Sequence, residues 1–139
     1  MRKIIEKTCE KENIKYVTTG FVDHEKALEY MTCFDVLAVP RRKSDTIESV
    51  VPLKVIEALA LGIPVIVIEQ KVYLEYGFRN HESIIFFKPD PQDISSAILM
   101  ILRNQSLKEK LKINGIKIAK SFNYKEMIDK LMDILTISK

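Results

Sequence analysis

Three short apolar runs, "DVLAVP", "PVIVI" and "SIIFF", interrupt a chain whose other apolar positions mostly recur at helical spacing. Each run is continuous rather than alternating, as in strands buried on both faces. A fourth strand is predicted near residues 14–18, where "IKYVTTG" carries β-branched residues and ends in Gly20. Between the strands lie helical patterns. Residues 2–12 form a charged surface helix contacting through Ile4 and Ile5, and "DHEKALEYMTCF" starts a helix with Asp23 as its cap. Residues 41–50, "RRKSDTIESV", are polar and read as a loop. "EQKVYLEYGFRN" reads as a loop with one or two helical turns. From Pro91 onward three helices are predicted, marked by Ile94, Ala97, Ile98 and Ile101, then Leu107 and Leu111, then Met127, Ile128, Leu131 and Leu135. Strands alternating with helices indicate parallel pairing through right-handed crossovers, hence an α/β layered domain with about four parallel strands.

One helix stands apart. Residues 52–61, "PLKVIEALAL", open on Pro52, which suits a first turn because its missing N–H would be unsatisfied there anyway. Gly62 closes it. At about 100° per residue, Leu53, Val55, Ile56, Leu59 and Leu61 fall on nearly every side, so most of the helix is expected to be covered by protein. Lys54 and Glu57 share the one polar sector. That sector faces solvent, a cleft or a ligand, and a surface pair between the two side chains is the simplest account.

Composition narrows the class without choosing a function. The 139 residues, with 47% apolar and 29% charged side chains, fit one water-soluble domain spanning residues 1–139. The net charge of +3 comes from 22 basic and 19 acidic residues spread along the chain, which argues against a nucleic-acid partner. Cys9 and Cys33 have neither Cys-x-x-Cys spacing nor histidines in register, so no metal site is expected and both read as reduced thiols. His24 and His81 read as surface residues. The charged N-terminus does not form a signal peptide, and no apolar run approaches the ~18 residues of a transmembrane segment. A cytoplasmic location is the expectation.

The order of "VTTGFVD", "CFDVLAVP", "VVPLKVIEALALGIPVIVIE", "SIIFFKPDPQDISSAILMILRN" and "NGIKIAKSFNYKEMIDKLMDIL" resembles the second half of the C-terminal domain of the group 1 glycosyltransferases, which have the two-domain GT-B fold. The likeness runs over residues 14–137. It implies a partial Rossmann-like, donor nucleotide-sugar-binding domain. The donor is a nucleoside-diphosphate sugar, no further cofactor is needed, and transfer to an acceptor hydroxyl proceeds with retention at the anomeric carbon. By this resemblance Glu57 takes the ribose hydroxyls and the helix start at Leu53 and Lys54 takes the diphosphate. Phe21 and Val22 border the nucleobase. The segment Glu48, Ser49 and Val50 completes the nucleotide-sugar-binding set. The chemistry is apt, because a carboxylate accepts two charge-assisted hydrogen bonds from a vicinal diol, and free N–H groups at a helix start bind phosphate.

The sequence departs from the family pattern in two places. A second acid usually stands eight residues before the first, where this chain has Ser49, and Glu48 is one place off. Two strands and a basic pair that precede these elements in the family are absent upstream, as is the acceptor-binding N-terminal domain. In the sheet order 3-2-1-4-5-6 those strands lie between this chain's first and second. Either four strands close up in a rearranged sheet, or another polypeptide such as an N-terminal glycosyltransferase half supplies the missing ones, or the chain is unstable. Arg41, Arg42 and Lys43 follow a strand end and are phosphate-contact candidates; no residue reads as a general base. Three functions therefore stand side by side: a donor-binding part of a transferase that is inactive alone, a non-catalytic nucleotide-binding module or subunit of a split transferase, and a truncated gene remnant.

Overall fold

Val65–Ile68 is the strand around which the domain is layered, and every one of its four side chains is buried. A computed structural model describes residues 2–40 and 50–123, and element numbers follow the chain within them. Helices α1 (Arg2–Lys11) and α2 (His24–Met31) precede strand β1 (Leu37–Val39) and helix α3 (Leu53–Ala60). Strand β2 (Val65–Ile68), helix α4 (Lys71–Glu75) and strand β3 (Ile85–Phe87) follow, and then helices α5 (Pro91–Arg103) and α6 (Gln105–Lys120). The sheet order is β1-β2-β3, parallel throughout, with Ala38 beside Ile66 and Val67 beside Phe86.

Strand periodicity divides the core in two. Val65 and Val67 face one cluster with Val55, Ala58 and Leu59 of α3, and Ile66 and Ile68 face another with Ala97 and Ile101 of α5. Helix α6 serves both, because its Leu111 joins the second cluster and its Ala119 the first. Gly115 lets α6 approach α3 closely: a Cβ there would lie 2.8 Å from Leu59 Cδ2.

Helix ends follow their local chemistry. Asp90 accepts hydrogen bonds from the backbone N–H groups of Gln92 and Asp93, both at 3.1 Å, with Pro91 opening α5. Asn104 closes α5 and caps α6, its Oδ1 accepting from the Leu107 N–H at 2.9 Å. Gly62, at φ +75°, ends α3 in a Schellman turn, with the Ile63 N–H donating to the Ala58 carbonyl and the Gly62 N–H to Leu59. Asp23 sits at the N-cap of α2 as expected, without a side-chain capping bond.

Several expectations need correcting. Residues 14–18 form no strand; they are exposed and irregular, so among the described residues the sheet has three strands rather than about four. A strand persists through its ladder bonds, and no strand of the described residues pairs with this stretch. "DVLAVP" is not buried on both faces: β1 lies at the sheet edge, and Ala38 is exposed while Val39 is buried. Pro52 is the N-cap of α3 rather than part of its first turn. Two of the three C-terminal helices are α5 and α6; Met127, Ile128, Leu131 and Leu135 lie outside the described residues. Among the described residues no helix is long and apolar enough to cross a membrane.

Gly115→Val is expected to lower stability by about 1–3 kcal/mol by overpacking against Leu59, read as an earlier urea midpoint at unchanged slope.

Candidate functional site

Helix α3 buries Val55, Ala58 and Leu59 against the sheet, which turns Glu57 toward the side where α2 begins. The Glu57 side chain is 18% exposed, and its Oε1 lies 3.4 Å from Nε2 of His24, itself 65% exposed. Its partner is thus a histidine on another helix, not Lys54. The contact joins the two stretches that sequence reasoning singled out separately. His24 follows directly on the turn Gly20–Asp23, in which Gly20 adopts φ +66°, Phe21 is fully exposed and Val22 is half-buried.

The α3 start is open. Pro52 provides no side-chain cap, its carbonyl accepts from the Val55 N–H at 2.9 Å, and the N–H groups of Leu53 and Lys54 have no partner within the helix. Leu53 is 64% exposed and Leu61 and Val50 are exposed too, so the helix is packed on one face instead of being enclosed all round. The apolar positions outnumber those the sheet and α6 can cover. Ser49, Glu48, Arg41, Arg42 and Lys43 lie outside the described residues.

The carboxyl ends of the strands carry the hollows. A cavity of about 590 Å³ opens where β2 and β3 end, lined by Ile68, Gln70, Phe87 and Lys88 among others. It shares Ile68, Phe87 and Pro89 with a smaller one of about 210 Å³ that reaches Pro40 beyond β1. Glu57 lines neither, nor a third cavity of about 320 Å³ between Arg79 and Asn114. Glu57 thus meets His24, just after the Phe21–Val22 turn, while the cavity of about 590 Å³ lies elsewhere on the rim. Gln70 and Asn80, which line that hollow, were missed from sequence; "EQ" directly after a strand end was the available signal. Among the described residues no group of three or more His, Cys, Asp or Glu side chains is arranged for a metal ion.

The family described as "Glycosyl transferases group 1" matches over residues 1–118. The chain belongs to that family. Among solved structures, sucrose-phosphate synthase from Thermosynechococcus elongatus superposes with a TM-score of 0.77 and 24% identity over 99% of this chain and 35% of that one. The C-terminal domain of the group 1 glycosyltransferase LpcC from Francisella tularensis gives 0.72 and 18% over 87% of this chain and 61% of that one. The chain thus spans about a third and three fifths of these two. Its α/β layers are those of a GT-B C-terminal domain. No curated protein matches it.

Glu57→Gln is expected to change folding stability by less than about 0.5 kcal/mol, because the side chain reaches solvent and its one ion partner is largely exposed. Thermal and urea unfolding of the two proteins check this.

Proposed function

We propose that the chain is the donor-binding portion of an enzyme that moves a sugar from a nucleoside-diphosphate sugar to an acceptor hydroxyl. The observation that supports this reading is the approach to Glu57 of His24, which follows Val22 by two residues in the chain. A nucleoside needs the turn and the acid at once, since its base and ribose are joined by one bond. Phe21 and Val22 flank the base, and Glu57 accepts hydrogen bonds from the ribose diol. The diphosphate lies toward the free N–H groups of Leu53 and Lys54, next to Val50, where the helix dipole stabilises charge developing on the leaving group. Ser49 and Glu48 are the positions for the transferred sugar.

Transfer by this chain alone is not expected, because no residue of its sequence reads as a general base. A second reading, a nucleotide-binding subunit of a split transferase, is favoured by the outer edge of β1, which has no partner strand among the described residues.

Calorimetry with uridine, guanosine and adenosine diphosphates tests the donor site. Glu57→Gln should weaken the nucleotide that binds by about tenfold, ~1.4 kcal/mol, and leave its 2′,3′-dideoxy analogue unchanged. Equal losses for both analogues, or no loss, would remove Glu57 from the site. Sugar transfer that appears only on co-expression with an N-terminal half would establish the subunit reading.

A further inference from the structure

None of the described donor-site candidates, Phe21, Val22, Val50, Leu53, Lys54 and Glu57, lines the cavity at the carboxyl ends of β2 and β3. Gln70 lines it, is only 6% exposed, and its amide makes no hydrogen bond among the described residues. Yet no fully buried side-chain nitrogen or oxygen of the described residues lacks a partner. The Gln70 amide therefore keeps some open space beside it, and the cavity is the open space that Gln70 lines. A buried amide without a protein partner costs stability unless water or a ligand satisfies it.

Two more planar groups are held in place around it. Asn80 Oδ1 accepts from the backbone N–H groups of His81 and Phe86, at 3.1 and 3.0 Å, which leaves its Nδ2 free to donate. Asp93 Oδ2 accepts from the Lys88 N–H at 2.6 Å, which leaves Oδ1 free to accept. Their orientations are set before any ligand arrives.

Charge selects the ligand class. Lys88 lines the cavity with Glu69 and Asp93, and Lys71 lines it too while its Nζ lies 3.3 Å from Glu75 Oε1, so neither sign of charge dominates. An anionic ligand would meet the carboxylates, and a cationic one the ammonium groups. A neutral molecule rich in hydroxyls meets neither penalty, and can both donate to Asp93 and accept from Asn80 and Gln70. The apolar floor of Ile68 and Phe87 suits the C–H face of such a molecule, and about 590 Å³ lies within the range of small-molecule sites.

We infer that this cavity is a binding site for an uncharged sugar, separate from the donor nucleotide site. The inference does not rest on the transferase reading above. The test is a titration of the 15N-labelled full chain with the methyl glycosides of glucose, galactose and mannose, followed by amide shifts. Glucose 1-phosphate and glucosamine serve as anionic and cationic controls. One or more neutral glycosides should move the side-chain amides of Gln70 and Asn80 and the backbone amide of Lys88. Gln70→Leu should weaken that binding by about tenfold. Asn80→Asp, which keeps both accepted backbone bonds and deletes the donor, should weaken it as well if Gln70→Leu does not fold. Tighter binding of either charged control, shifts confined to the surroundings of Glu57, or no shift with any neutral glycoside would overturn the assignment. Nucleoside diphosphate titrated separately reads the donor site, so failure here leaves that reading standing, and the reverse holds too.

Discussion

The structure depends on burying both faces of β2. Four aliphatic side chains, Val65 to Ile68, alternate between two clusters, and each cluster needs its own helix layer. Helix α3 covers one face and α5 the other, while α6 contributes to both. The parallel partners β1 and β3 then follow from the crossovers that place those helices. Little is left to choice once "PVIVI" is central.

Helix α3 has to satisfy two demands. Its buried face belongs to the core, and that packing fixes where Glu57 and the open helix start are presented. A carboxylate with few solvent contacts sits one turn into a helix whose first N–H groups are free, so acceptor and donors are rigidly spaced on one scaffold. The neighbouring cavity works differently, because its polar groups come from three places, Gln70 after β2, Asn80 before β3 and Asp93 in the first turn of α5, and the last two are oriented by bonds to backbone. The two regions share the carboxyl rim of the sheet without sharing residues.

Much of this was legible in the sequence. The runs at "DVLAVP", "PVIVI" and "SIIFF" identify the strands, Gly62 and Pro91 mark helix ends, and the block from Pro52 to Ile68 carries the family likeness. Residues 14–18 misled because β propensity describes fitness for a sheet, not the presence of a neighbour to pair with. Ala38 misled for the same reason, since a run cannot tell a central strand from an edge. The His24 contact with Glu57 joins residues 33 positions apart, and no spacing rule reaches across that separation. Gln70 escaped notice because a polar residue after a strand reads as ordinary loop until its burial is seen.

Asn104 is at once the C-cap of α5 and the N-cap of α6. With that single residue between them, the rotational phase of α6 is inherited from α5. Each added residue at that elbow would swing Leu111, Gly115 and Ala119 by about 100° around the axis, away from the clusters and from Leu59. Length at this junction is therefore under tighter geometric control than the identity of most side chains on either rod.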